Sequence, residues 1–367
     1  MKITAVEAIV VRLPLRHVGP PAGFGGQVWD RLATLLVRVE TDAGLVGWGE
    51  AFGFGAVGAT KAAVDGLIAP LCVGRNAAGI AELTLELQRA LHNFGRNGPV
   101  SFGLSGLDIA LWDLAGKAAG LPLYRLLGGG PGAAREVEAY ASLFRYGDPE
   151  AVGRVAAMAA ERGYRAVKLH EVDVPQVAAA RRAVGPDVAL TLDTNCPWTV
   201  PEAVAMAGRL EEYGLAWLEE PVWPPEDHAG LAEVRRGARV PIAAGENAGT
   251  VAEVRQLLQA ASVDVVQPSV TKIGGVSEMR RAMALAGAFG VAAVPHSPYL
   301  GPGLLATLHL IAAAAPAETL VERLFCDPDP GLFGGLTDPV GGRMRVPDGP
   351  GLGADPDPEV VARHRDG

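Results

Sequence analysis

Three acidic residues, each at the end of a short apolar run, constrain the fold of this 367-residue chain more than any other feature. Asp193 follows Ala-Leu-Thr-Leu, Glu219 follows Ala-Trp-Leu, and Glu246 follows Pro-Ile-Ala-Ala-Gly. The acids are 26 and 27 residues apart, about the length of one strand–helix unit. Because a parallel barrel places successive strand ends side by side on one rim, the three carboxylates would converge there. Three hard oxygen ligands that leave room for water and substrate suit Mg²⁺.

The second half of the chain has the alternating strand and helix patterns that a barrel requires. From about residue 137, short apolar runs alternate with alanine-rich helical stretches. The predicted strands are Val137–Ser142, Ala166–His170, Ala189–Asp193, Ala216–Glu219, Pro241–Ala244, Val263–Val266, Val291–Val294 and Thr319–Val321. Eight strands separated by helices predict an α/β fold of the TIM-barrel type. The competing architecture is an open doubly wound sheet, but no glycine-rich phosphate turn follows its first strand.

The first 130 residues have a different pattern, which predicts a separate α+β capping domain. Alternating runs at 3–13, 32–40 and 45–50 indicate an antiparallel sheet, and helical patterns follow at about 60–69, 80–92 and 101–119. Two glycine-rich stretches, Gly19–Gly26 and Gly53–Gly58, are expected to be specificity loops that close over the barrel rim. We predict a capping domain at 1–130, a barrel at 131–326, and a C-terminal segment at 327–367 that packs back on the capping domain.

Composition and charge argue against several classes of partner. The chain has 32 Lys and Arg against 41 Asp and Glu, a formal charge of −9, and no basic run, so we expect no nucleic-acid and no membrane partner. Three scattered cysteines give neither a disulfide framework nor a zinc spacing. The N-terminus is not typical of a signal peptide, and no run approaches the roughly 18 apolar residues of a membrane span. We therefore expect a soluble cytoplasmic homo-oligomer with a small-molecule substrate.

The second predicted barrel strand places a lysine inside the barrel. Since side chains alternate along a strand, Val167 and Leu169 would face the covering helices, whereas Ala166, Lys168 and His170 would face the interior. A buried lysine is costly unless it has a partner or a function. Desolvation and nearby cationic charge would lower its pKa toward that of a useful base. The alternative is a structural ion pair, but three converging carboxylates favour a function.

Other polar residues lie at or just beyond predicted strand ends. Asn195 follows the third strand and could hydrogen-bond a substrate or fix Lys168. His296 is placed at the end of the seventh strand, where it could act as a general acid or base opposite the lysine. Glu322 is placed at the end of the eighth strand, where it could hydrogen-bond a substrate or simply pair with Arg323.

Further motifs extend over nearly the whole chain. They are Val46-Gly47-Trp48-Gly49-Glu50, Leu104–Lys117, Trp217-Leu218-Glu219-Glu220-Pro221, Lys272-Ile273-Gly274-Gly275 and Pro347–Gly353. Together, and in this order, they resemble the enolase superfamily, most closely its mandelate racemase subgroup. The resemblance implies an α+β capping domain on a modified barrel of seven strand–helix units and a last strand, written (β/α)7β.

The resemblance also implies a chemistry. Asp193, Glu219 and Glu246 would hold Mg²⁺, and the enzyme would abstract the proton next to a substrate carboxylate to give an enediolate. Such a proton is too weakly acidic for an unaided amine. A carboxylate held on Mg²⁺ neutralises the charge that develops in the transition state.

Two departures from the subgroup's pattern bear on the reaction. The usual Lys-x-Lys of the second strand is Lys168-Leu169-His170 here, so either Lys168 or His170 could be the base. After the sixth strand, Ser269 stands where the family has an aspartate that hydrogen-bonds the histidine, which makes His296 a weaker base. This favours β-elimination, in which one side chain removes the α-proton and His296 helps the 3-hydroxyl to leave as water.

The first expectation is therefore an acid-sugar dehydratase, which converts an aldonate or aldarate to a 2-keto-3-deoxy acid. The second is a racemase, epimerase or lactone cycloisomerase that uses the same intermediate. The third is a metal-binding protein with little turnover, because both the lysine pair and the histidine partner are altered. A new keto group, an inverted centre or an opened lactone would separate the catalytic alternatives.

Overall fold

The computed structural model describes residues 1–366 and begins with an antiparallel sheet covered by helices. The strands are β1 (Ile3–His17), β2 (Arg31–Thr41) and β3 (Val46–Ala51). The helices are α1 (Val57–Ala63), α2 (Ala69–Cys72), α3 (Ile80–Ala90), α4 (Pro99–Ala119) and α5 (Leu123–Leu126), with a π-helical segment (Val64–Ile68) between α1 and α2. These elements and their loops form the capping region.

The long helix α4 packs against one face of this sheet. β2 pairs with β1 over almost its whole length and with β3 on its other side. Leu35 and Val37, on one face of β2, lie in the same buried cluster as Leu107 of α4. The helix comes so close that a Cβ atom on Gly49 would lie 1.9 Å from the carbonyl oxygen of Gly106. This close approach explains the glycine at that motif position.

A curled parallel sheet follows. Its strands are β4 (Glu136–Ser142), β5 (Ala166–Leu169), β6 (Ala189–Asp193), β7 (Leu215–Glu219), β8 (Ile242–Ala244), β9 (Val265–Val266), β10 (Ala292–Ala293) and β11 (Val321–Leu324). The connecting helices are α6 (Pro149–Glu161), α7 (Val174–Val184), α8 (Val200–Leu210), α9 (His228–Gly237), α10 (Val251–Gln259), α11 (Gly275–Ala288) and α12 (Pro302–Ala314). The sheet order is β10-β9-β8-β7-β6-β5-β4-β11. Within residues 1–366, eight parallel strands therefore alternate with seven helices, which confirms the predicted (β/α)7β fold. No helix in this range is long and apolar enough to cross a bilayer.

The last two barrel strands differ in position from the prediction. The eighth strand was predicted at Thr319–Val321, but it begins at the last of these residues, so Glu322 lies inside β11 and not at its end. Glu322 and Arg323 form a polar pair that suggests a strand end, yet both side chains are buried in the strand. β10 has two residues, and His296 lies three residues beyond it.

The C-terminal segment contacts both units. It contains β12 (Cys326–Pro328), β13 (Leu332–Gly335), β14 (Arg343–Arg345) and α13 (Pro358–His364). β12 pairs with β1, and Val360 and Val361 of α13 share a buried cluster with Val11 and Leu13 of β1. β14 instead pairs with β4 of the barrel. The segment thus joins the capping sheet to the barrel, while the exact domain limits stay a prediction.

Candidate active site

The alternation of side chains along β5 positions the first site residue. Val167 and Leu169 belong to the large core between the barrel and its helices. Ala166 belongs to a small cluster inside the barrel with Tyr140 and Trp217. Lys168 shares this inward register and is fully buried. The lysine therefore points into the barrel, in the predicted direction.

Three carboxylates meet at the carboxyl ends of the neighbouring strands. Asp193 and Glu219 end β6 and β7 and are partners in the strand register, and Glu246 lies two residues beyond β8. One oxygen atom of each acid lies within 4.8 Å of the corresponding atoms of the other two. We call these three residues the rim triad. Their convergence is the one that the spacing of the acids predicts.

Lys168 lies against this triad. Its Nζ atom is 2.7 Å from Glu219 Oε1, 2.9 Å from Asp193 Oδ2 and 3.6 Å from Glu322 Oε1. Burial by itself would lower the pKa of Lys168, but the three carboxylates outweigh it and raise that pKa well above its ordinary value. The expectation of a lowered pKa is therefore wrong for this arrangement. The lysine is a cation that neutralises part of the triad's charge.

In this crowded cluster, the pKa values of two triad acids, Glu219 and Asp193, shift in opposite directions. Burial, together with the charge of Asp193, raises the pKa of Glu219 to about 8. Burial would also raise the pKa of Asp193, but Lys168 holds it well below its ordinary value. Oε2 of Glu219 accepts hydrogen bonds from Trp217 and Gln267, and Oε1 accepts one from Lys168. A divalent cation bound by three such oxygens would relieve their repulsion, so the donor set fits Mg²⁺.

His170 lies beside Asp193. Its Nδ1 atom is 2.5 Å from the carbonyl oxygen of Leu143, and its Nε2 atom is 3.4 Å from Asp193 Oδ2. Because a carbonyl oxygen only accepts, Nδ1 donates, and in the neutral ring Nε2 carries the lone pair. The ring of Phe24 packs edge-on against the imidazole with centroids 4.6 Å apart. The imidazole is thus held in one orientation at the triad.

His296 lies at another member of the triad. Its Nε2 atom is 2.7 Å from Glu246 Oε2, while its Nδ1 atom is buried and has no hydrogen-bond partner among residues 1–366. Ser269 hydrogen-bonds the hydroxyl group of Tyr299 and does not support the imidazole. The structure therefore confirms that His296 lacks the aspartate partner that the family pattern would supply at position 269. The contact between His296 and Glu246 was not predicted.

Asn195 holds Asp193 in place. Its backbone N–H and its side-chain amide both donate to Asp193 Oδ1 at 2.9 Å. The backbone has a left-handed φ of 54°, which asparagine tolerates better than most residues. Of the two predicted roles, fixing Lys168 is wrong, because the side chain contacts Asp193 and Arg145 instead. Its role toward a substrate stays a prediction.

Glu322, the third carboxylate near Lys168, is held in place by hydrogen bonds from two serines. It accepts hydrogen bonds from Ser142 Oγ at 2.7 Å and from the backbone N–H of Ser297 at 2.9 Å. Burial would raise its pKa, but Lys168 leads the contacts that lower it. The alternative pairing with Arg323 is wrong, because that side chain donates to the carbonyl oxygens of Thr337 and Cys326. Neighbouring residues in a strand face opposite sides, which excludes such a pair.

Two cationic residues near the site were missed. Arg145, three residues beyond β4, donates from Nε to the carbonyl oxygen of His170 at 2.5 Å. The strand-end rule could have found it. Lys272 lies 3.3 Å from Glu246 Oε1 and 4.3 Å from the ring centre of Phe52. Burial would raise the pKa of Glu246, but His296 and then Lys272 hold it well below its ordinary value. In the sequence, Lys272 is part of a glycine motif, and that pattern gives no sign of a contact with Glu246.

A cavity of about 430 Å³ opens over the triad. The barrel side of its lining includes His170, Asp193, Asn195, Glu246, His296 and Glu322. The capping region lines it with Phe24, Gly25, Trp29, Phe52 and Phe54. Both predicted glycine-rich loops therefore contribute to the cavity wall. Lys168 lies beneath the cavity and does not line it.

The comparisons with known proteins agree with this geometry. Residues 9–128 match the mandelate racemase / muconate lactonizing enzyme N-terminal domain, and residues 150–360 match the enolase C-terminal domain-like family. The chain is 34% identical to D-galactarolactone cycloisomerase from Agrobacterium fabrum, over 100% of this chain and 99% of that protein. It is 32% identical to arabinonate dehydratase from Saccharolobus solfataricus, over 87% of each. A solved mandelate racemase/muconate lactonizing protein from Paracoccus denitrificans, complexed with magnesium, has 31% identity and a TM-score of 0.87, with 100% of this chain and 98% of that chain covered.

A capped (β/α)7β barrel with an acidic triad at its rim defines a class of enzymes that act on small carboxylates. The chain belongs to the mandelate racemase / muconate lactonizing enzyme family of the enolase superfamily, as its motifs predicted. Its relatives include a dehydratase and a cycloisomerase, so the family contains both lyases and isomerases.

Proposed function

We propose that this chain is an Mg²⁺-dependent enzyme that removes the proton next to the carboxylate of an acid sugar, and that it dehydrates an aldonate or aldarate. One observation carries the proposal: two imidazoles contact different members of the rim triad. His170 lies at Asp193 and His296 at Glu246. They follow β5 and β10, which are five positions apart in the sheet order, so they approach the triad from different sides.

In the proposed site, the rim triad of Asp193, Glu219 and Glu246 holds Mg²⁺. The bound metal would neutralise the charge that develops on the substrate carboxylate as the α-proton leaves. Lys168 adds a second positive charge beneath the same place, since it contacts two of the three acids. The relative from Paracoccus denitrificans that contains magnesium supports this assignment.

His170 is the proposed base. It lines the cavity, and its hydrogen bond to Leu143 leaves Nε2 free to accept a proton. Lys168 is fully buried, and neighbouring carboxylates favour its charged form. Of the two candidates for the base, geometry therefore favours the histidine. Lys168 would supply charge and not proton transfer.

His296 is the proposed acid in the elimination. The electron pair of the broken C–H bond forms the C2–C3 double bond, and the 3-hydroxyl takes a proton from His296 and leaves as water. The resulting enol tautomerises to a 2-keto-3-deoxy acid. Its Nε2 atom lies 2.7 Å from Glu246 Oε2, which holds the imidazole at the rim triad, where it could reach the leaving hydroxyl.

A second candidate is a lactone cycloisomerase. The D-galactarolactone cycloisomerase of Agrobacterium fabrum matches this chain over its full length, which favours this alternative. The same base would remove the α-proton, but the group that leaves would be the ring oxygen of a lactone. The ring would then open with no loss of water, so substrate and product would have the same mass.

Proton NMR in D₂O with Mg²⁺ and a panel of aldonates, aldarates and their lactones tests the proposal. A dehydratase would remove the α-proton signal and release water, whereas a cycloisomerase would open a lactone at constant mass. His170→Ala should abolish exchange, and His92→Ala, which changes an exposed histidine that does not line the cavity, should retain it. A protein that binds Mg²⁺ but exchanges no α-proton in any of these acids would contradict the proposal and support a metal-binding role with little turnover.

A further inference from the structure

The cavity over the rim triad has two unlike surfaces. Its barrel side is mostly polar and charged, and includes the cations Arg145 and Lys272. The side chains that the capping region contributes, among the described lining residues, are the four rings of Phe24, Trp29, Phe52 and Phe54. We call these four residues the aromatic roof. A substrate in the cavity would therefore meet charge on one side and apolar rings on the other.

The aromatic roof is a packed unit and not a set of separate rings. Centroids of Phe24 and Trp29 are 5.2 Å apart, those of Trp29 and Phe54 are 5.1 Å apart, and those of Phe52 and Phe54 are 4.8 Å apart. These separations are typical of stabilising aromatic pairs. Phe54 also has a left-handed φ of 41°, which a bulky side chain adopts only when its surroundings hold it there. The roof is thus held together by contacts among its own rings.

The roof reaches both flanks of the triad. Phe24 packs against His170, which contacts Asp193. Phe52 packs over the Nζ atom of Lys272, which contacts Glu246. A substrate whose carboxylate lies at the triad therefore has aromatic rings next to it at both flanks.

The nearby cations are already engaged by the protein. Arg145 directs Nε at the carbonyl oxygen of His170, and Nη2 at the carbonyl oxygen of Thr194 and at Asn195 Oδ1. Lys272 is paired with a triad acid. The four rings themselves include no cation, so a second carboxylate placed against them would lose water without an ionic partner in the roof, which is costly.

We propose that the aromatic roof selects monoanionic substrates. The preferred acid sugar has a single carboxylate, as in an aldonate or the monolactone of an aldarate, and its neutral C–H face stacks on the rings. The open-chain dianion of an aldarate is excluded. This inference rests on the proposed function, because the substrate carboxylate is placed at the rim triad.

Binding of a matched pair of acids tests the inference. An aldonate and the aldarate of the same configuration differ only at the terminal carbon, which is a CH₂OH group in one and a carboxylate in the other. Quenching of Trp29 fluorescence in the Mg²⁺-loaded protein, recorded by stopped flow before the first turnover and with Trp29→Phe as the signal control, reports binding. The aldonate should bind roughly ten-fold or more tightly than the aldarate, since a carboxylate loses its water on the roof.

Variants of one ring sharpen the test. Phe54→Arg places a cation in the roof and should shift the ratio toward the aldarate, whereas Phe54→Leu keeps the apolar surface and the original ratio. Equal or tighter binding of the aldarate by the unaltered protein would overturn the inference. This comparison does not depend on whether Phe54→Arg folds. Selective loss of aldarate binding in Arg145→Gln would also overturn it, because Arg145 would then be the site of the second carboxylate.

Failure of this inference is distinguishable from failure of the proposed function. Exchange of the α-proton of an aldarate, at a rate equal to that of its aldonate, would overturn the selection and leave the chemistry intact. Tighter binding of the aldonate, with no exchange of the α-proton in any acid, would contradict the proposed proton abstraction. It would still support the preference for monoanionic substrates.

Discussion

Two groups of carboxylates with little exposure to solvent have different surroundings. At the barrel rim, the oxygens of three acids crowd within 4.8 Å of one another. Where the capping region meets the rest of the chain, three other buried acids are held one by one through backbone N–H groups: Glu50, Asp108 and Asp113. The first arrangement gathers like charges and calls for a cation, whereas the second satisfies each acid separately.

The second set, the interface acids, shows what burial does without crowding. Burial raises the pKa of Glu50 to about 8, although a hydrogen bond from Gly303 N–H at 2.8 Å opposes the change. Burial likewise raises the pKa of Asp108 to about 7 against its hydrogen bonds with Ser277. A raised pKa therefore does not by itself mark an active site. The close approach of several carboxylates is the more specific sign.

The largest expected effect comes from a rim acid. Asp193→Asn should lower the rate of α-proton exchange by roughly 10³-fold or more, because a lost metal ligand removes several kcal/mol of transition-state stabilisation. Exchange in D₂O measures it. Asp108→Asn is the matched control, since it changes a buried interface acid and should leave the rate within about two-fold. An equal loss of exchange rate in Asp193→Asn and Asp108→Asn would contradict the assignment of catalysis to the rim acids alone.

The base at the rim should give the next largest effect. His170→Gln should lower kcat/KM by roughly 10²–10⁴-fold, which is the usual contribution of general base catalysis. Affinity for Mg²⁺, measured by calorimetry, should stay unchanged because the imidazole is not one of the proposed ligands. An unchanged rate in this variant would return the role of the base to Lys168.

An interface acid should affect stability and not catalysis. Asp113 accepts hydrogen bonds from the backbone N–H groups of Trp48 and Leu352 and from Lys117. Asp113→Ala leaves these donors buried without a partner and should lower the free energy of unfolding by roughly 3 kcal/mol. Urea unfolding measures it. Asp355→Ala removes the exposed partner of the same lysine and should cost less than about 1 kcal/mol.

The smallest effect depends on pH. The pKa of Glu50 is raised from 4.5 to about 8 in the folded protein. Its contribution to stability is therefore fully present below pH 4.5 and is lost as the pH rises through about 8. Glu50→Gln keeps an acceptor for Gly303 N–H and removes the charge, so its stability relative to the unaltered protein should increase by at least about 1 kcal/mol between pH 5 and pH 8.5. Urea unfolding of both proteins at the two pH values measures this difference. An equal difference at pH 5 and pH 8.5 would contradict the prediction, because Glu50 would then be ionised in the folded protein at both pH values.

Local patterns account for the parts of the site that sequence predicts. Asp193 and Glu219 end their strands because apolar runs of fixed spacing define the strand–helix units. Lys168 points inward because side chains alternate along a strand, and this needs no knowledge of distant contacts. The fold class and the rim triad follow from these two regularities.

Contacts between distant segments account for what sequence did not predict. Glu246 meets His296 only after the barrel curls, and the aromatic roof forms only when the capping loops reach the rim. Some glycines of the motifs are required by close contacts between distant segments. A Cβ atom on Gly275 would lie 2.4 Å from Asp108 Oδ1, so this glycine lets α11 approach α4. No local pattern reveals such a partner.

Calorimetric titration with Mg²⁺ tests the central claim, that crowding and not burial makes a cation site. The unaltered protein and Glu50→Gln should bind a single Mg²⁺ with the same affinity. Glu246→Gln should bind it roughly 100-fold more weakly or worse, because a charged ligand of the rim triad is lost. Equal Mg²⁺ affinity in the unaltered protein and Glu246→Gln would contradict the assignment of the rim triad, as would a loss of affinity in Glu50→Gln alone.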